Sequence, residues 1–189
     1  MKNKLNEIIY GKELADNLEE INNKELKEKF IEYFGQEKWD QEEELAMLMK
    51  IGLKICEDLY LEPIPIVCDD IEEESRLDIE DMYIIISSKI IHNKLEAVKS
   101  LIYQLRIYYQ LVCISIDDET EPKRSEWVQD YKSLHLEETI SKGNYLSIYI
   151  DAYAYMKHFL KTILGINYMH MDVIYDEILN KYIENNFSE

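Results

Sequence analysis

Four histidines, His92, His135, His158 and His170, are the side chains of this sequence best suited to bind a transition metal or move a proton near neutral pH. No two of them are four residues apart, the spacing that puts two imidazoles on one helix face for zinc. The three cysteines, Cys56, Cys68 and Cys113, form no CxxC pair, and each lies in an apolar run where a reduced thiol packs as a small hydrophobe. An odd, unpaired set points to a reducing compartment. No GxSxG, GxGxxG or Walker loop occurs, and five glycines are too few to build a phosphate cradle. Asp69-Asp70 and Asp117-Asp118-Glu119 lack the alternating ligands, turn glycine and distal Glu of a calcium loop, so they read as solvated acid. Neither a metal nor another cofactor is expected.

The elements that would position these residues are mostly helical. Leu5, Ile8 and Ile9, then Leu14, Leu18 and Ile21, then Leu26, Phe30, Ile31 and Phe34 recur at helical spacing. Breaks at Gly11 and Asn22-Asn23 predict short helices, the last ended by Gly35. Asp40 with Glu43 three residues later is a capping-box start for a long helix carrying Leu45, Leu48, Met49, Leu53, Cys56 and Leu59, and Glu62-Pro63 stops it. Ile64 to Cys68 is a short β-branched run in which Pro65 favours an edge position, and Met82 to Ile86 is a second strand. Between them, Asp69 to Asp81 carries eight acidic residues against Arg76. It reads as an exposed connection, with room for part of another strand around Leu77 to Ile79.

From Asn93 to Ile114 the positions Leu95, Val98, Leu101, Ile102, Leu105, Tyr108, Tyr109 and Val112 form the broad stripe of a centrally buried helix. A second acidic loop, Asp117 to Glu121 with Pro122, precedes a helix from a Ser125 cap to about Ser141, ended by Gly143. Tyr145 to Leu164, closed by Gly165, and roughly Met169 to Ile183 complete the helices. The fold class is α+β, predominantly helical with a small mixed or antiparallel sheet, in a single domain of 189 residues.

Lys and Arg number 21 and Asp and Glu 39, giving a formal charge of −18. That sign opposes direct contact with nucleic acid or an anionic membrane and makes a basic protein the natural complement. With 47% apolar residues, five Gly and three Pro, the chain is neither disordered nor loop-rich. Met1 to Tyr10 contains no apolar signal region, and no stretch approaches the roughly 18 apolar residues of a membrane span, so a soluble cytoplasmic protein is expected. Most of the 15 tyrosines, at helical spacing, are expected in the core.

A long helix, a short strand at Ile64 to Cys68 and a strand at Tyr83 to Ile86 lead to a helix whose middle reads Tyr103-Gln-Leu-Arg-Ile-Tyr-Tyr-Gln110. The next-but-one helix carries Tyr149-Ile-Asp-Ala-Tyr-Ala-Tyr155. From Leu48 to Leu160 this order resembles the small zincin-like metallopeptidases of phages and mobile elements, with motifs of the form HELRHxxQ and ExDAxAxA. Leu105, Arg106 and Gln110 match the first motif; Asp151, Ala152 and Ala154 match the second. The resemblance implies an N-terminal helical extension at 1–40, a zincin-like core at 41–165 and a C-terminal helix at 166–189. It also implies that Tyr103, Ile107 and Tyr149 stand where an active relative has zinc ligands, and Gln104 where it has the base. Tyr, Ile and an amide cannot supply that chemistry, so the site is expected to be dead, its cavity filled by packed side chains. On the residues alone, the same positions are ordinary core of a helical domain.

Together these readings predict a catalytically inactive pseudo-zincin that acts as a binding or inhibitory protein. Its partner surface would be the acidic residues Asp69, Asp70, Glu72, Glu73, Glu74, Asp78, Asp81, Asp117, Asp118, Glu119 and Glu121, and its partner a basic, nucleic-acid-binding enzyme. The resemblance to phage-borne families implies an anti-defence role, such as occupying a guide-RNA or target-DNA groove. Two alternatives stay open: a regulatory protein that docks through an apolar groove, and an active hydrolase using unrecognised metal ligands, Asp151 or the acidic loops.

Overall fold

A computed structural model describes residues 12–116, 119–133 and 146–187, the side chains of 12–22 and 133 excepted. Among these the protein is mostly helical with a small mixed sheet. The sequence suggests one domain, whereas the contacts divide the chain into two compact units, one up to Val98 and one from Lys99 on.

The first unit opens with α1 (Lys12–Gly35), which runs unbroken through Asn22-Asn23. This corrects the expected break. Asparagine costs a helix only a few tenths of a kcal/mol beyond an average residue, and tertiary packing overrides that. Leu26, Phe30 and Tyr33, four and three apart, are buried. Helix α2 (Gln41–Leu59) starts with the full capping box: Glu43 N donates to Asp40 Oδ1 at 2.9 Å, and Asp40 N donates to Glu43 Oε2 at 3.0 Å. Its buried stripe is Met47, Leu48, Ile51, Ile55 and Cys56. The helix ends earlier than Glu62-Pro63 would require, because Tyr60 turns left-handed at φ 55° and Leu61 N reaches back to Cys56 O at 2.9 Å.

Three strands follow, β1 (Ile66–Asp69), β2 (Ser75–Asp78) and β3 (Tyr83–Ser87), in the order β1-β3-β2. β1 is parallel to β3 and lies at an edge, where Pro65 places it; β2 is antiparallel to β3 and forms the other edge. The strand expected only in part around Leu77 to Ile79 is thus a full partner that begins at Ser75. Central β3 buries Ile84, Ile85, Ile86 and Ser87 in succession. Asp78 Oδ1 accepts from Glu80 N at 3.1 Å and Asp81 N at 3.0 Å, and Met82 takes φ 54°, closing the β2–β3 turn.

Helix α3 (Lys94–Ser115) begins at the end of the first unit and supplies the second with Lys99 onward. There Leu101, Ile102, Leu105 and Cys113 are buried as the stripe requires, but so are Gln104, Arg106 and Gln110. Helix α4 (Arg124–Ser133) begins one residue before Ser125, which corrects the Ser125 cap. Glu121 Oε1 accepts from Lys123 N at 3.1 Å and sets the turn instead. The expected continuation to Ser141 and Gly143 lies outside the described residues. Helix α5 (Ser147–Leu164) has no cap from its own Leu146; Asp130 of α4 accepts from Ser147 Oγ at 2.5 Å and Ile148 N at 3.1 Å. Gly165, at φ 68°, closes it as expected. Helix α6 (Val173–Asn186) starts after Met169, because Asp172 accepts from Ile174 N and Tyr175 N at 3.0 and 3.1 Å.

Candidate functional site

In the second unit, the apolar stripe of α3 is interrupted by Arg106, which cannot stay buried without an anion. Asp151, one turn into α5, provides it: Arg106 Nε donates to Asp151 Oδ2 at 2.6 Å and Nη2 to Oδ1 at 3.0 Å. One turn along α3, Gln110 Nε2 donates to the same Oδ2 at 2.6 Å and to Ile148 O at 3.0 Å. From α6, the Tyr182 hydroxyl donates to Asp151 Oδ1 at 3.1 Å. The carboxylate thus receives four hydrogen bonds, two on each oxygen, which fills its acceptor capacity. Asp151 has no acceptor site left for a substrate proton.

The guanidinium is also boxed by rings. Its Cζ lies 4.6 Å from the Tyr109 centroid, 5.0 Å from Tyr155, 5.4 Å from Trp127 and 5.8 Å from Phe187. Burial works against the charge, but the neighbouring Asp151 outweighs it and raises Arg106 above its ordinary value. Burial, followed by the Asp151 charge, pushes the Tyr182 phenol well up, so it remains a donor. Three of the 15 tyrosines, Tyr109, Tyr155 and Tyr182, therefore line a buried ion pair.

The positions mapped onto the zinc site hold packed side chains. Tyr103 stacks obliquely on Tyr153 at 4.6 Å, and burial raises its phenol well above the usual range. Ile107 and Tyr149 both pack against the cluster of Cys113, Trp127 and Ile148. Burial likewise raises the Tyr149 phenol. Gln104 is buried on the same helix. Among the described residues, no three His, Cys, Asp or Glu side chains come together to hold a metal ion. His158 stacks on Phe187 at 5.5 Å and His170 lies 4.8 Å from Tyr175, while His92 is exposed; His135 lies outside the described residues.

The acidic residues divide. In the first unit Asp69, Asp70, Glu72, Glu73, Glu74 and Asp81 are exposed, with Glu80, and Asp78 is half-buried. The register places Asp69 and the 72–74 run at the end of the sheet where β2 starts, and Asp78 to Asp81 at the opposite end. The three residue steps of β2 separate these two groups by about 10 Å. Lys89 Nζ binds Ile71 O at 2.8 Å and pairs with Asp70 at 3.4 Å, anchoring the loop.

In the second unit Glu119 is exposed, and Asp117 and Asp118 lie outside the described residues. Glu121 corrects its assignment to a partner surface: it is buried, and its Oε2 accepts from the Tyr109 hydroxyl at 2.9 Å. A carboxylate at the end of an acidic run looks solvated in sequence; the phenol twelve residues earlier turns it inward. Sequence reasoning also missed the buried pair Lys157–Asp176 at 2.6 Å, joined by His170 N and Asn180 Nδ2 on the same carboxylate. A lysine among the apolar residues of α5 was its available signal.

Among the described residues, no helix is long and apolar enough to cross a membrane. Compared with models of protein families, with curated proteins and with solved structures, the chain matches none.

Proposed function

We propose that this chain is a non-catalytic binding protein on a pseudo-zincin frame, whose acidic sheet module engages a basic, nucleic-acid-binding protein. The observation that carries the reading is the exposure of Asp69, Asp70, Glu72, Glu73, Glu74, Glu80 and Asp81 around a three-stranded sheet, with Arg76 and Lys89 the basic residues of the stretch 66–89. Carboxylates held at two sites about 10 Å apart could meet two stretches of a basic groove. Such a field accelerates encounter and weakens as salt screens it. Two further features favour loss of chemistry: Asp151 is saturated, and packed Tyr and Ile side chains fill the positions that the resemblance assigns to metal ligands.

The test is capture from a bacterial lysate with elution by a salt gradient, comparing the native chain with a Glu72→Gln, Glu73→Gln, Glu74→Gln variant. Recovery of a nucleic-acid-binding protein that competes with DNA or RNA, lost in the variant, is the expected result. Equal recovery by both proteins would sink the reading. One observation favours docking through an apolar surface instead: Met169, Met171, Val173 and Ile174 are each more than two-thirds exposed. A partner bound there resists salt and is lost on Met171→Glu.

A further inference from the structure

The segment that joins α5 to α6 and the first turn of α6 hold four of the most exposed apolar side chains among the described residues. Met169 is 75% exposed, Met171 98%, and Val173 and Ile174 68% each. The backbone that presents them is tied at several points. His170 N donates to Asp176 Oδ1 at 2.7 Å, and Asp172 N donates to His170 Nδ1 at 3.1 Å. Lys157 Nζ holds the same Asp176 oxygen at 2.6 Å. The His170 ring stands edge-on to Tyr175 at 4.8 Å and to Tyr153 at 5.9 Å. Side chains alternate along the stretch: Tyr168 and His170 are half-buried, whereas Met169 and Met171 face solvent. The patch is therefore arranged before any partner arrives, which lowers the ordering cost of binding.

The charge around it has one sign. From Thr162 to Asn180 the sequence has no Lys or Arg, but it has Asp172, Asp176 and Glu177. Lys157 neutralises Asp176, and Lys99 lies over the Tyr168 ring at 4.4 Å. Asp172 and Glu177 stay exposed. Glu177 comes four residues after Val173 and three after Ile174, so it shares their face of α6, one turn further along. That face is apolar and then acidic, over a step of about 5.4 Å. A helix laid along it repeats at the same turn, so its apolar side chains can meet the patch while a base one turn on meets Glu177. Exposed methionines suit this contact, because an unbranched thioether adapts its shape to what it touches.

We propose that the Met169–Met171 segment and the start of α6 dock an amphipathic helix of a partner protein, apolar along one stripe and basic beside it. The inference rests on the apolar-surface reading given above and is separate from the acidic sheet.

The test is nuclear magnetic resonance on the full chain with its methionine methyl groups labelled with carbon-13. Of the seven methionines, Met47 and Met156 are buried and serve as references. Met82, partly exposed in the acidic β2–β3 turn, reports binding at the sheet. Three peptides are compared: leucine and lysine at helical spacing, the same composition in strict alternation, and leucine and glutamate at helical spacing. The first is expected to move Met169 and Met171 saturably, at lower concentration than Met82. The other two are expected to bind there at least about tenfold more weakly, as is the first peptide to a Met171→Ser, Ile174→Ser variant with unchanged melting. Unmoved Met169 and Met171, Met82 moving first, or full affinity in the variant would overturn the proposal. Equal binding of the leucine–glutamate peptide would do the same. Equal binding of the alternating peptide would overturn the helical partner alone; the broader apolar reading fails only if Met171→Glu keeps its salt-resistant partner. If the double variant does not fold, the comparison of the three peptides on the native chain decides.

Discussion

Arg106 and Asp151 show what one buried charge demands of its neighbours: a bidentate anion, an amide, a phenol and four rings, drawn from several helices. Asp151→Ala strands the guanidinium and should cost about 3–5 kcal/mol in urea unfolding. The joint replacement Arg106→Met, Asp151→Leu should recover most of that loss, because no uncompensated charge remains. The Lys157–Asp176 pair carries a pH signature. Burial pushes the Asp176 carboxyl up, but hydrogen bonds from Lys157, the His170 backbone and Asn180 outweigh it and hold the group below its ordinary 3.8. A folded value below the unfolded one gives stability at pH above 3.8 that is lost as pH falls through the folded value. Acid titration of Asp176→Asn should therefore show a shallower loss of stability below that pH than the native chain. At this scale the sequence is half legible. Arg106, Gln110 and Asp151 stand out through the motif resemblance, but their pairing is a tertiary fact. Nothing in local spacing ties Tyr182 to Asp151 or Glu121 to Tyr109.

Elements were legible wherever a local device defines them. The Asp40–Glu43 box and the Gly165 stop act over a few residues and can be read directly. Asp40→Ala should lower stability by about 1 kcal/mol in thermal unfolding, and Gly165→Ala by about 1–2 kcal/mol, since a Cβ disfavours φ 68°. Elements stayed hidden where the deciding partner lies far along the chain. The Asn22-Asn23 dipeptide suggests a break that packing of α1 overrides, and the short polar β2 has little strand character until Ile84 to Ile86 pair with it. The starts of α4 and α6 shift for a similar reason, set by the carboxylates of Glu121 and Asp172 rather than by apolar periodicity.

For the whole molecule, a charge of −18 repels itself in every compact state. Adding sodium chloride shortens the screening length from about 10 Å at 0.1 M to about 3 Å at 1 M, so the melting temperature should rise by a few degrees. A melting temperature that falls with salt would instead mean that attractive pairs outweigh the repulsion. The acidic composition was readable from the first residue count; the division at Val98 and Lys99 was not, because α3 is a single periodic helix across it. The three-stranded sheet has a further consequence. Among the described residues, β1 and β2 each pair on one side only, and an edge strand is the usual template for fibril growth. Pro65 ahead of β1 lacks a backbone donor, and the carboxylates that flank both ends of β2 repel a second copy carrying the same charges. The same acid that would attract a basic partner thus works against edge-to-edge pairing of two copies through this sheet.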